Sequence, residues 1–150
     1  MDRYKMEDLK KWKNSTNRKP LIIRGARQVG KTWLMQEFGR KYYEKCAYIN
    51  FDDNTRMNSL FNEDFNIEKI IQGLKIESGV NIEPENTLII LDEIQETPRA
   101  LKALKYFCEN AREYHVVSAG SLLGVAIHEG TSFPVGKVDF MDLMPLSFFE

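Results

Sequence analysis

The segment that most constrains the fold of this chain is Leu21–Met35, in which a short apolar run leads into a glycine loop and then a helical pattern. The motif in it has the spacing G-x-x-x-x-G-K-T and is formed by Gly25, Gly30, Lys31 and Thr32. A strand, a glycine loop and a helix in this order are typical of a phosphate-binding P-loop. The plainer alternative is a chance glycine turn at a helix start, but the two flanking patterns favour the P-loop.

Each position of this motif has a physical reason. Glycine lets the loop turn through conformations that a Cβ atom would forbid, so that its amides can point at phosphate oxygens near a helix N-terminus. Lys31 would reach the β- and γ-phosphates, and the Thr32 hydroxyl would ligate Mg²⁺. We therefore expect the phosphates to be bound by Gly25, Ala26, Arg27, Gln28, Val29, Gly30, Lys31, Thr32 and Trp33.

A second group of charged residues follows the apolar run 88–91, which is continuous like a central parallel strand covered on both faces. Asp92 and Glu93 come directly after it and form a Walker B pattern. Ligands of open α/β folds bind at the carboxyl edge of the sheet. We expect Asp92 to hold hydrated Mg²⁺ and Glu93 to orient and deprotonate an attacking water, with Lys31 stabilising the transferring phosphoryl group. The alternative is a pair of exposed carboxylates at a strand end.

A polar side chain at the tip of the next strand would complete such a site. Ser121 is the first candidate, because this position can sense a γ-phosphate or position a water, and Ser118 is the second. Turn formation explains either serine equally well. His115 and His128 have no companions at ligand spacing, so the sequence indicates no metal site other than that for Mg²⁺.

Hydrophobic periodicity predicts strands that alternate with helices. The strands are expected at 21–24, 46–51, 88–91, 115–119 and 137–141. Asn66 is the expected N-cap of one helix between them, and Thr97 and Pro98 are expected to begin another. Alternating strands and helices imply a parallel sheet with right-handed crossovers. The expected fold class is therefore α/β, a P-loop NTPase three-layer sandwich with a mostly parallel five-stranded sheet.

Length, composition and net charge limit the classes of protein to which the chain can belong. The chain has 150 residues, 43% of them hydrophobic and 29% charged, and its net charge of −1 does not indicate a nucleic-acid or membrane partner. No apolar stretch approaches the ~20 residues that span a bilayer, and no signal sequence is recognisable. Cys46 and Cys108 lie in apolar segments without C-x-x-C spacing, which favours reduced core cysteines. We expect a cytoplasmic protein.

Residues 1–20 differ from the rest, because they contain seven basic and three acidic residues, a net charge of +4. Tyr4, Leu9 and Trp12 are spaced loosely along one helix face, which predicts a basic helix packed on the domain and followed by a polar connector. A surface for nucleic acid or an acidic partner is the second interpretation of this segment. The first is favoured, since aromatic residues more often pack on a core.

The chain resembles the AAA-type ATP-binding proteins of bacteria and archaea, in which a P-loop ATPase core precedes a C-terminal domain of unknown function. The resemblance covers nearly the whole chain and is carried by LIIRGARQVGKT at 21–32, YINFD at 48–52, LIILDEIQ at 88–95, AGSL at 119–122 and PLSF at 145–148. The combination is specific, because Arg-Gln lies inside the P-loop and Ile-Gln follows the Asp-Glu pair.

The resemblance implies an AAA-like core that binds and hydrolyses ATP with Mg²⁺, with Ser121 at the sensor position. It also implies that residues 1–20 are an N-terminal helix and connector and that 21–150 are the core, truncated before a lid and a C-terminal domain. A DNA or protein partner would bind through that missing region, and a homo-oligomer would be common. Family members often carry Gly-Arg before the last core strand, whereas this chain has Gly-Lys at 136–137, and lysine lacks the planar fork of arginine. An arginine from a neighbouring subunit would be Arg99, Arg112 or a residue beyond 150.

Two other functions stay open at this point. One is a nucleotide-gated switch or binding module for DNA or protein, with slow or negligible turnover. The other is a small-molecule kinase on the same P-loop fold, although such kinases usually lack an adjacent Asp-Glu pair after the buried strand.

Overall fold

The computed structural model describes residues 3–25, 30–120 and 136–143, with side chains from Lys5 onward. These residues form five strands and five α-helices. In chain order they are α1 Arg3–Lys13, β1 Leu21–Arg24, α2 Lys31–Tyr42, β2 Lys45–Asn50, α3 Thr55–Glu63, α4 Ile67–Ser78, β3 Thr87–Asp92, α5 Pro98–Asn110, β4 His115–Ala119 and β5 Asp139–Asp142. A 3₁₀ turn, Ile94–Glu96, connects β3 to α5.

The strands form one sheet in the order β2-β3-β4-β1-β5, and every neighbouring pair is parallel. The α/β class and the five strands predicted from periodicity are confirmed, and the sheet is wholly rather than mostly parallel. The last strand begins two residues later than predicted. Gly136 has a φ of 78°, and Lys137 pairs with Glu109 of α5, so this segment forms a turn before β5 begins.

Two apolar clusters cover the two faces of the sheet and make the three layers of the sandwich. One cluster joins the sheet to α1 and α2 and contains Leu34, Phe38 and Ile90. The other joins it to α3, α4 and α5 and contains Phe61 and Leu104. Strand β3 is buried along its whole length, as its uninterrupted apolar run predicts.

The predicted helix starts are confirmed, although their capping differs. The Asn66 side chain accepts a hydrogen bond from the Lys69 amide at 3.1 Å and caps α4. Thr97 precedes Pro98 at the start of α5, but its hydroxyl donates instead to Asn58 Oδ1 at 2.7 Å. The Thr97 side chain therefore connects the start of α5 to α3 and does not cap α5.

Helix α1 packs on the domain, as the favoured interpretation of the N-terminal segment predicts. Leu9 is fully buried, and the Trp12 ring packs edge-on against Phe38 and His115. The Trp12 indole donates to the Lys19 carbonyl at 2.7 Å, which satisfies its only polar group. The basic helix is thus part of the α2 face of the core.

His115 begins β4 beneath this helix and is buried against Tyr43, whose hydroxyl lies 2.6 Å from the imidazole Nδ1. Burial, reinforced by the positive charges of Arg18 and Lys13, lowers the pKa of His115 to about 4. The unfolded chain binds a proton there near pH 6.5, whereas the folded chain does not until about pH 4. Folding stability is therefore lost as the pH falls through this window.

We expect the free energy of unfolding to fall with decreasing pH between pH 6.5 and 4.5, with a slope from His115 approaching about 1.4 kcal/mol per pH unit. His115→Gln should remove this part of the slope, because glutamine does not titrate. Urea unfolding of both proteins at several pH values measures the difference. Parallel pH profiles for the two proteins would show that His115 is not the titrating group.

Candidate functional site

The glycine loop lies between β1 and α2, at the carboxyl edge of the sheet. Gly25 follows β1 directly, and Gly30 precedes α2 with φ 87° and ψ 20°, a left-handed conformation that favours glycine. The Gly30 carbonyl accepts from the Leu34 amide at 2.9 Å, so the helix begins immediately after the loop. The predicted phosphate-binding residues 26–29 lie outside the described residues.

Lys31 is the first residue of α2 and is only 7% exposed. Its ammonium group donates to the Gly25 carbonyl at 2.9 Å, so the side chain reaches from the start of α2 back to the residue that follows β1. The N-terminus of a helix carries a partial positive charge and unpaired amides. A buried lysine at this position concentrates positive charge where a phosphate chain would bind.

The two sequence motifs meet at Asp92, the last residue of β3, which is 3% exposed. Its Oδ2 accepts from the Thr32 hydroxyl at 2.6 Å, across 60 residues of sequence. Its Oδ1 accepts from the Glu93 amide at 3.0 Å. The register explains this geometry, because Asp92 lies on the same side of β3 as Ile90, which packs in the cluster under α2.

Tyr48 of β2 is a third partner of this carboxylate, and its hydroxyl donates to Asp92 Oδ2 at 2.6 Å. Burial, followed by the hydrogen bond and charge of Asp92, raises the pKa of Tyr48, so the phenol keeps its proton and acts as the donor. The sequence alone assigns no role to Tyr48 beyond its place in the YINFD segment, because no local pattern shows that its strand lies beside β3.

Glu93 has φ 57° and ψ 42°, a left-handed conformation that non-glycine residues rarely adopt. The 3₁₀ turn that follows brings the Gln95 amide back to donate to Glu93 Oε2 at 3.0 Å. Gln95 Oε1 is buried and has no hydrogen-bond partner among the described residues. Backbone strain of this kind persists where the surrounding structure fixes it, and it is common at functional sites.

Trp33 and the two serines are the other residues that the sequence predicts for the site. Trp33 follows Thr32 on α2 and is 46% exposed. Ser118 is paired with Ile22 and Leu91, which pack on the opposite face of the sheet from Thr32, and its hydroxyl donates to the Leu21 carbonyl at 3.1 Å. The Ser118 hydroxyl is therefore engaged inside the sheet, and the residue at the sensor position stays a prediction. Ser121 lies outside the described residues.

The two candidate arginines contact their own chain. Arg99, in the first turn of α5, donates to the Phe61 carbonyl at 2.7 Å and lies over the Phe65 ring at 4.4 Å. Arg112 donates to the Cys108 carbonyl at 2.9 Å, just before β4 and therefore at the amino edge of the sheet. Arg112 is thus far from the carboxyl edge that carries Asp92.

The oxygen atoms around Asp92 fit a hard divalent cation. A hydroxyl and a carboxylate lie 2.6 Å apart beside the loop, and Mg²⁺ is usually held by one or two such oxygens together with substrate phosphates and water. Both cysteines are free thiols, and burial raises the pKa of Cys46 to about 11, which makes it a poor metal ligand at neutral pH.

The sheet order and the all-parallel strands are those of an α/β P-loop ATPase fold. A family model described as an AAA domain matches residues 17–150, and the chain belongs to this family. A comparison with curated protein sequences gives no match.

Solved structures that resemble the chain include a Walker-type ATPase of Pyrococcus abyssi, with a TM-score of 0.59 and 17% identity over 99% of this chain and 55% of that protein. They also include the ORC1 protein of Aeropyrum pernix in complex with DNA, with a TM-score of 0.57 and 16% identity over 97% of this chain and 44% of that protein. The chain thus spans about half the length of each. Among the described residues, no helix has the length and apolar character that crossing a membrane requires.

Proposed function

We propose that this protein binds Mg²⁺-ATP at the carboxyl edge of the sheet and hydrolyses it to ADP and phosphate. The observation that carries the proposal is the hydrogen bond between Thr32 and Asp92, which joins the two motifs at a single point. An α/β fold of the AAA family that brings together a P-loop threonine and a buried strand-end carboxylate has the arrangement that nucleotide hydrolysis requires.

The P-loop would bind the phosphate chain. Loop amides from 25 to 33 would donate hydrogen bonds to phosphate oxygens at the start of α2, where the helix dipole favours an anion. The Lys31 ammonium would leave the Gly25 carbonyl and donate to the β- and γ-phosphates. Trp33 is exposed at the same helix end and would cover the nucleotide on its solvent side.

The other residues would prepare the reaction. Thr32 and Asp92 would hold Mg²⁺, which when bound neutralises charge on the phosphate oxygens. Glu93 would accept a proton from the attacking water, and the Gln95 amide fixes its carboxylate for this role. We also assign Ser121 to the sensor position and residues 21–150 to the ATPase core.

Phosphate release from ATP by the full-length protein tests this proposal. We expect ADP and inorganic phosphate to accumulate in equal amounts when Mg²⁺ is present, and no release when the metal is chelated. Transfer of the phosphoryl group to a small-molecule acceptor would indicate a kinase instead. Absence of both products, with or without added DNA, would contradict hydrolysis.

A nucleotide-gated switch is the second candidate function. It is favoured by the left-handed backbone of Glu93, because strained conformations of this kind are found in switch regions as well as at active sites. One of the similar structures is a complex with DNA, which makes DNA the first partner to test. Single-turnover hydrolysis with and without DNA distinguishes the two functions, because an ATPase that needs no partner would turn over equally fast in both.

A further inference from the structure

The phenol of Tyr48 lies directly beside the proposed metal site. Its hydroxyl donates to Asp92 Oδ2 at 2.6 Å. Tyr48 belongs to β2, which pairs with β3 along its whole length, so that Asn50 at the end of β2 lies opposite Asp92. The pairing of the two strands therefore holds the phenol next to the carboxylate.

We infer that Tyr48 is a positioning residue for Mg²⁺, one that holds the Asp92 carboxylate in the orientation that the ion requires. The inference rests on the proposed function and names a residue that the Walker motifs do not contain. Asp92 Oδ2 is held from two separate elements, by Thr32 of α2 and by Tyr48 of β2, while Oδ1 is held by the backbone amide that follows.

The physical reason is the freedom of an aspartate side chain. Two torsions position its carboxylate, and an ion that requires near-ideal octahedral geometry tolerates little error in the oxygens around it. Partners in the outer shell of a metal site orient the ligands, and their loss typically lowers metal affinity about 10- to 100-fold. Without the phenol, the hydroxyl of Thr32 would be the one hydrogen-bond partner left to Asp92 Oδ2 among the described residues, and Thr32 belongs to the same metal site.

The test is Tyr48→Phe, which removes one hydroxyl and keeps the ring. ATP affinity is measured by calorimetry in EDTA and over a range of Mg²⁺ concentrations, which gives the Mg²⁺ affinity of the nucleotide complex without any turnover. We expect this Mg²⁺ affinity to fall about 10-fold and the ATP affinity in EDTA to stay unchanged. Melting temperatures of both proteins establish that the variant is folded.

Tyr42→Phe is the matched control, because Tyr42 ends α2 at the opposite end from Lys31 and packs at the edge of the same core cluster. It should leave the Mg²⁺ affinity unchanged. If Tyr48→Phe behaves like this control while the unmodified protein shows Mg²⁺-dependent ATP binding, the inference is overturned and the proposed function stands. If Tyr48→Phe weakens ATP binding equally with and without Mg²⁺, Tyr48 has a structural role and the inference is also overturned. If the unmodified protein binds no Mg²⁺-ATP, the proposed function and the inference both fail.

Discussion

Lys31→Ala is expected to weaken ATP binding by at least about 100-fold, or about 2.8 kcal/mol. The variant removes the buried lysine side chain at the start of α2 and with it the charge-assisted hydrogen bonds that we propose it donates to the β- and γ-phosphates. Each such bond contributes roughly 1.5–3 kcal/mol, so the loss of two accounts for an effect of this size. Calorimetric titration with Mg²⁺-ATP measures it.

The fold should tolerate this change. The Lys31 ammonium group donates to the Gly25 carbonyl at the edge of the sheet, and the substitution leaves the apolar side chains of the core unchanged. Lys41→Ala is the matched control, because Lys41 lies in the last turn of the same helix and is exposed. If Lys31→Ala binds ATP within a few-fold of the affinity of the unmodified protein, Lys31 and the P-loop do not bind the phosphates.

Glu93→Gln is expected to lower the rate of hydrolysis by roughly 10²- to 10⁴-fold, which is the usual contribution of a general base. Glutamine has the same shape but accepts no proton from the attacking water. ATP affinity should stay within a few-fold, because Asp92, Thr32 and Lys31 are unchanged. Single-turnover hydrolysis and calorimetry on the same preparation separate the rate from the affinity.

Glu96→Gln provides the matched control for this variant. Glu96 lies three residues further along in the same 3₁₀ turn, is exposed, and has one oxygen 3.4 Å from the same Gln95 amide. Its loss should leave the hydrolysis rate unchanged. A Glu93→Gln protein that hydrolyses ATP as fast as the Glu96→Gln protein would show that another group accepts the proton.

Much of the fold follows from patterns that lie within single segments of the sequence. The uninterrupted apolar run 88–91 predicts a buried central strand, and β3 is buried throughout. Asn66 caps α4 as its position before an apolar period predicts. A local pattern does not predict the hydrogen-bond partner of a polar side chain when a residue distant in sequence also offers one. The Thr97 hydroxyl bonds to Asn58 of α3 for this reason.

The site was predictable only in part, for the same physical reason. The P-loop and the acidic pair are local motifs, and the parallel sheet brings Thr32 and Asp92 within 2.6 Å of each other. The role of Tyr48 depends on which strand lies beside β3, which no local pattern specifies. The Ser118 hydroxyl likewise bonds to the Leu21 carbonyl of a neighbouring strand that no local pattern identifies.

A crystal structure of the protein with Mg²⁺ and a non-hydrolysable ATP analogue tests the central claim most directly. We expect one ion held by the Thr32 hydroxyl at about 2.1 Å, with Asp92 beside it. We also expect the Lys31 ammonium group to donate to the phosphate oxygens instead of the Gly25 carbonyl. An analogue bound away from the glycine loop, or an ion that contacts neither Thr32 nor the surroundings of Asp92, would contradict it.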